Sequence, residues 1–255
     1  MDVAQYNRKA WDHQVEQGNR WTIPVSEAVI SEARAGRWHV VLTPQKPVPS
    51  SWFPKLAGLK VLGLASGGGQ QAPIMAAAGA HVTVLDNSPK QLEQDQFVAR
   101  RDGLLITSIL GDMRDLSRFA PESFDLVFNP CPMSFISEAH TVFEQVHHVL
   151  KPNGRLLCGF TNPVRFIFDE EELSKRKLLI KHKLPYKDST HLSSEDLEKL
   201  RLANESFICS HSLEDLFAGQ LKAGFTITDM YEDTDDECLL SEYLPSYFAT
   251  RAEKC

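Results

Sequence analysis

Six residues, Ala65-Ser66-Gly67-Gly68-Gly69-Gln70, lie between a short apolar run and a helical pattern. Glycines at such a turn let backbone amides approach a ligand closely, and the start of the following helix favours a polar or anionic group. Asp86 closes the next apolar run, about 20 residues on, where a carboxylate can accept both hydroxyls of a ribose. Together these residues describe a site for a nucleoside-type cofactor. The turn alone does not choose the cofactor, because Gly67-Gly68-Gly69-Gln70-Gln71-Ala72 also satisfies the G-x-G-x-x-A form of the dinucleotide fingerprint. A tight strand-to-helix turn that needs small residues is the bland alternative.

Other side chains with chemical potential are more scattered. Gly111-Asp112-Met113 follows a third apolar run; Asp112 suits either a ligand contact or a helix N-cap, and Met113 suits a ligand wall or plain core packing. His191 is a candidate general base, with a surface loop histidine as the plainer reading. Lys175, Arg176, Lys177, Lys181, Lys183 and Lys187 form the one dense basic run. Glu171 and Glu172 lie four residues before Lys175 and Arg176, which suggests a salt-bridged helix face more than an anionic-substrate or nucleic-acid patch. The acidic stretch from Asp229 to Glu242 reads as solvated surface. The five cysteines have no metal-ligand spacing and read as free thiols.

The elements that must position these residues alternate in type. Val61–Ala65, His81–Asp86, Ile106–Leu110, Phe124–Asn129 and Arg155–Phe160 read as strands with helical patterns between them, the signature of a parallel sheet. Ser88, Pro89 and Gln91 predict a helix start with a capping box, and Gly103 predicts its end. Ser137 to Leu150 has helical spacing and closes on a Lys151-Pro152-Asn153-Gly154 turn. Residues 161–205 are charged and irregular. A helix opening at Ser212 ends at Gly224, and Phe225–Tyr231 and Tyr247–Thr250 predict the sixth and seventh strands. Residues 1–55 carry all four tryptophans and read as a helical lead-in followed by a proline-rich connector.

With 255 residues the chain suffices for one α/β domain with additions. We divide it into a lead-in or lid (1–55), a cofactor-binding core (56–160), a substrate-cover insertion (161–210) and the rest of the core sheet (211–255). A net charge of −7 opposes a polyanion, so nucleic acid is disfavoured as partner. No apolar stretch reaches the roughly 20 residues of a membrane span, and the N-terminus lacks a signal-peptide core. The expected location is therefore cytoplasmic.

Across residues 56–160, and more weakly through 211–231, the chain resembles the class I S-adenosylmethionine-dependent methyltransferase family. The likeness rests on Val61–Gln70, Asp86, Gly111-Asp112-Met113, Phe124–Asn129 and Leu150–Phe160. It implies a doubly wound, mainly parallel seven-stranded sheet, S-adenosylmethionine as cofactor and a small-molecule methyl acceptor. Carried over, Ala65, Gly67 and Gly69 would line the methionine part and Asp86 would hold the ribose. Asp112 would accept the adenine amino group, Met113 would pack on the adenine plane, and Asn129 would face the sulfonium side. Ser66, Asn87 and Gln91 complete the expected cofactor contacts, and Tyr6 stands where an N-terminal helix closes over the site in related enzymes.

Two positions depart from the family: Gly63 replaces a usual acidic residue and Ala65 a usual glycine. Another group must then anchor the cofactor's amino end, or binding weakens. Asn129-Pro130-Cys131-Pro132 is similar to the Asn-Pro-Pro-aromatic motif of enzymes that methylate bases or glutamine. Cys131 breaks the prolines and Met133 replaces the aromatic, so the stacking platform is missing. Methyl transfer is an in-line displacement that needs placement and dryness more than a fixed catalytic residue; Tyr6 and His191 are the candidates for any further role. A nicotinamide-dependent oxidoreductase and a non-catalytic cofactor-binding protein remain as alternatives.

Overall fold

Strands that are apolar on both faces have to be covered on both faces, and that requirement organises the chain. In the computed structural model, which describes residues 2–255, β1 (Lys60–Leu64) has Val61, Leu62 and Leu64 fully buried. Around it stand β2 (His81–Asp86), β3 (Ile106–Leu110), β4 (Phe124–Asn129), β5 (Leu150–Thr161), β6 (Phe225–Asp233) and β7 (Tyr247–Lys254). They form one seven-stranded sheet in the order β3-β2-β1-β4-β5-β7-β6. The first five are parallel, and β7 runs antiparallel to both β5 and β6. The strand order reverses between β1 and β4, which opens a crevice at their carboxyl ends.

The helices lie in two layers. On one face α2 (Glu27–Arg34), α3 (Gln71–Ala77) and α4 (Pro89–Asp102) contribute Ala33, Met75 and Leu92 to a cluster with Val61 and Val84. On the other, α5 (Ala139–Val149) contributes Val142, Phe143 and Val146, which pack on Leu62, Leu156 and Phe248. The long α1 (Val3–Glu16) lies outside these layers. After β5, the insertion holds the short helices α6 (Glu170–Ser174), α7 (Asp188–His191) and α8 (Ser194–Leu202). A π-turn at Glu214–Ala218 then runs into α9 (Gly219–Lys222).

Local punctuation works largely as the residue types require. Ser88 caps α4 by accepting from the Gln91 amide at 3.1 Å, and Gly103 ends the helix at φ 62°. The capping box is only half formed. The Ser88 amide donates to Asp86 instead of to the Gln91 side chain, because the nearby carboxylate is the stronger acceptor. The turn expected at Lys151–Gly154 is absorbed into β5. Phe124 pairs with Leu150 but Leu126 pairs with Arg155, so the extra residues bulge out of the ladder, with Asn153 at φ 62°.

The connector before β1 is welded to the sheet. Trp52 is fully buried, and its indole N–H donates to Asp229 on β6 at 2.8 Å. Further along, the Leu42 backbone crosses β5 at Gly159, where an added Cβ would overlap the Leu42 carbonyl oxygen and lie 2.8 Å from its carbon. Both partners there are backbone, so neither can yield cheaply. Gly159→Ala should therefore lower stability by about 2–3 kcal/mol, read as a reduced denaturant midpoint at an unchanged slope.

Candidate active site

The glycine turn is built around one carboxylate. Asp86 Oδ2 accepts the Gly67 amide at 2.9 Å, and Oδ1 accepts the Ser88 amide at 2.9 Å. Burial pushes this carboxyl above its usual range, against the pull of those amides. Asp86 also lines the cavity, where a carboxylate with spare acceptor capacity suits a diol. Ala65 takes φ 47°, a conformation that ordinarily calls for glycine, and its amide donates to the Leu85 carbonyl at 2.7 Å. Thus Ala65 keeps the backbone path that the family usually assigns to glycine.

The neighbouring glycines serve packing. A Cβ at Gly68 would come within 2.7 Å of the Trp21 carbonyl, and one at Gly69 within 2.9 Å of the Gln94 carbonyl. Gly69 itself faces away from the cavity, toward α4. Its amide donates at 3.2 Å to Asp95, a fully buried carboxylate whose second oxygen has no partner.

Gly63 and Ser66 explain one another. A side chain at Gly63 would overlap Ser66 Oγ, so the missing carboxylate leaves room for a hydroxyl. Ser66 Oγ and Gln91 Oε1 are both buried without partners, and both residues line a cavity of about 390 Å³ at the strand ends. Both atoms lie just beneath the cavity surface, so the two side chains have to turn before a ligand can satisfy them.

Ala65, Gly67, Asp86, Asn87, Asp112 and Met113 also line this cavity. Asn87 is engaged with the cover as well: its amide donates to the Ala4 carbonyl at 2.7 Å and its oxygen accepts from Arg8 at 3.1 Å. Asp112 caps no helix. It accepts the Arg114 amide at 2.9 Å and pairs with the Arg114 guanidinium at 2.6 Å, which holds its carboxyl low. Met113 belongs to both the cavity wall and the core cluster. Asn129 is turned away: its amide donates to the Leu64 carbonyl at 2.8 Å, and its oxygen accepts the Cys158 thiol at 3.0 Å. It ties β1, β4 and β5 together instead of facing a ligand.

Neither Tyr6 nor His191 lines the cavity. Tyr6 packs edge-on against Phe207, with its hydroxyl buried and unpartnered. His191 ends α7, its ring against the Lys187 backbone and Tyr186. The walls come instead from α1 (Ala4, Asn7, Trp11), the connector (Val41–Pro44), the segment Pro130–Ile136, and Thr161, Arg165, Phe166 and Tyr247. Asn7 locks α1 in place by donating to the Phe207 carbonyl at 3.0 Å and accepting its amide at 2.9 Å. Of the basic run, Lys175 pairs with Glu171 and Glu172, and Lys181 with Asp169, as a salt-bridged surface should. Arg176 reaches Glu242 instead of Glu172, because α6 ends at Ser174.

The fold places the chain beside an S-adenosylmethionine-dependent methyltransferase from Mesorhizobium loti, with TM-score 0.62, 18% identity, and 80% and 94% of the two chains covered. A family model described as a methyltransferase domain matches residues 62–158. The methyltransferase YbaJ of Bacillus subtilis (strain 168) is 49% identical over 252 residues, 99% of this chain and 98% of that protein. The chain belongs to the class I S-adenosylmethionine-dependent methyltransferases. Similarity extends over the cover as well. A 1,6-didemethyltoxoflavin N1-methyltransferase from Burkholderia thailandensis, solved with its acceptor and S-adenosylhomocysteine, spans 99% of this chain at 15% identity and TM-score 0.60. Family membership removes the nicotinamide reading, since the cofactor of this family is S-adenosylmethionine.

Four features of this methyltransferase escaped the sequence. Arg165, Tyr247 and the Leu42–Pro44 wall reach the cavity only through tertiary packing, although the rule that ligands sit at strand ends pointed to the segment after β5. Asp95, buried within α4, carries no signal of that burial in a linear reading. Its burial and the nearby Asp86 charge raise its carboxyl well above the usual value, so the native state keeps a proton that the unfolded chain has released. Its contribution to stability is complete below about pH 4 and fades as pH climbs through the native-state pKa. Asp95→Asn should flatten that decline and exceed the parent in stability at mildly alkaline pH, with the gap narrowing on acidification. Denaturant midpoints measured across pH check this.

Proposed function

We propose that this methyltransferase acts on a small-molecule acceptor held beneath α1 and the segment after β5, by direct displacement without a side-chain general base. S-adenosylmethionine supplies an electrophilic methyl group on its sulfonium. As the acceptor bonds to the methyl carbon, the carbon–sulfur bond breaks and S-adenosylhomocysteine leaves; a neutral acceptor then gives its proton to solvent. The observation that carries the reading is the cavity itself, which is lined by Asp86 and Ser66 together with the apolar Trp11, Phe135 and Phe166. Such a covered, mostly apolar space suits a small ligand and keeps water from the transfer.

Several features agree. Among the described residues, no histidine lines the cavity. Burial pushes the Cys131 thiol far up and the Tyr247 hydroxyl up to about 12, so both hold their protons at neutral pH. The chain's residues therefore bind, orient and dry the reactants. The net charge of −7 and the ion pairing of much of the basic run speak against a nucleic-acid substrate.

Asp86 would hold the ribose and Asp112 the adenine amino group, with Ser66 taking over the amino-end role that Gly63 lacks. Calorimetry should show binding of S-adenosylmethionine and S-adenosylhomocysteine but not NAD or NADP. Asp86→Ala should weaken the first two by about 1.5–3 kcal/mol, the worth of charge-assisted bonds. A folded Asp86→Ala protein with undiminished affinity would sink the assignment. Closure has its own signature. Amides of α1 and of residues 161–167 should gain hydrogen-exchange protection when S-adenosylhomocysteine binds, and protection already complete without it would make them fixed walls.

A further inference from the structure

The cavity has a polarity that the transfer reaction does not require. Asp86 and Asp112 lie at the cofactor end, and Arg165 is the one cationic side chain on the wall among the described residues. Arg165 belongs to the short turn Pro163–Ile167 directly after β5, a segment fastened at its N-terminal side by Asn162. Asn162 caps it by accepting the Val164 amide at 3.2 Å, donates its own amide to the Ser246 carbonyl at 2.8 Å, and its side chain donates to the Pro245 carbonyl at 3.0 Å. The guanidinium is largely buried, with a side-chain exposure of 21%.

Its single side-chain hydrogen bond among the described residues is from Nη2 to Glu170 at 2.8 Å, and Glu170 is 69% exposed. A solvated carboxylate of that kind screens the outer edge of the fork but leaves Nε and Nη1 free. Beside it, β5 and β7 register Thr161 opposite Tyr247, and Ser134 donates to Thr161 at 3.3 Å. This end of the cavity is therefore rich in donors, while Trp11, Phe135 and Ile208 nearby are apolar.

A mostly buried guanidinium on a cavity wall, with Nε and Nη1 free of protein partners, offers a ligand a planar pair of donors. We infer that the acceptor is a small apolar molecule bearing a carboxylate, which Arg165 binds through its planar fork with Tyr247 as an additional donor. This deepens the reading of the site as a methyl-transfer pocket and rests on it. The anchored carboxylate would hold the acceptor's far end while its nucleophilic atom faces the cofactor end.

Three probes of one shape decide the matter: 2-naphthoate, 2-naphthamide and 2-naphthylmethylamine, titrated into the full chain saturated with S-adenosylhomocysteine. Quenching of Trp11 and Trp21, both on the cavity wall, reports binding. The naphthoate should bind about tenfold or more tighter than the amide, and the amine weakest, as expected for a charge-assisted pair. Arg165→Gln should bring naphthoate and naphthamide to nearly equal affinity while S-adenosylhomocysteine affinity stays unchanged. Arg165→Lys, which keeps the charge but not the fork, should retain a smaller preference.

Equal binding of acid and amide by the parent protein, a preference for the amine, absence of naphthoate binding, or a preference that survives Arg165→Gln each overturns the inference. Should Arg165→Gln not fold, the parent panel and the Arg165→Lys comparison still decide it. Failure of the parent to bind S-adenosylhomocysteine strikes the methyl-transfer reading itself. Normal S-adenosylhomocysteine binding without acid preference removes only the carboxylate acceptor.

Discussion

One carboxylate, at the carboxyl end of β2, holds the active site in shape. Asp86 gathers the amides of Gly67 and Ser88, so the turn after β1 and the start of α4 are registered on the same pair of oxygens. The cost of burying that charge is only partly offset by amide dipoles, and burial still raises the carboxyl. Everything that lies over the turn inherits this registration. Trp21 rests against Gly68, α4 rests against Gly69, and Ser88 Oγ donates to Asp12 of α1 at 2.6 Å.

The cover is thus an extension of the cofactor site and not an independent cap. Asn87 and Ser88 tie α1 to the loop after β2, while Asn7 ties the same helix to Phe207 near the end of the insertion. A ligand that settles on Asp86 meets the backbone to which the cover is attached. Much of the insertion, including His191 and the basic run, lies on the outer surface, where exposed ion pairs contribute little individually.

Gly63, Ser66 and Ala65 illustrate how a family pattern can be altered without loss of its geometry. Ala65 occupies a left-handed conformation because the hydrogen bond to Leu85 and the surrounding strands over-determine it. Removing a side chain at Gly63 frees the volume in which the Ser66 hydroxyl sits. A neutral hydroxyl thus occupies space that a side chain at position 63 would fill, which changes the local electrostatics more than the backbone path.

The residue pattern by itself determined the strand order of types, the turn after β1, Asp86 at the strand end and the caps at Ser88 and Gly103. These depend on local periodicity, backbone freedom and hydrogen bonding between residues close in sequence, which a linear reading captures. Asp86, Gly67, Ser66, Gln91, Asp112 and Met113 reach one cavity because consecutive strand ends are neighbours in a parallel sheet. What the sequence could not express is direction across the fold. Asn129 has the right strand-end position, yet its side chain satisfies the Leu64 carbonyl and Cys158. Tyr6 and His191 have suitable chemistry but face other neighbours, and Lys151–Gly154 becomes a bulge because β4 fixes the register on either side. Arg165, Tyr247 and Leu42 come together from segments far apart in the chain, where only packing decides which side chains share a wall, since the orientation of each is set by neighbours that no local spacing encodes.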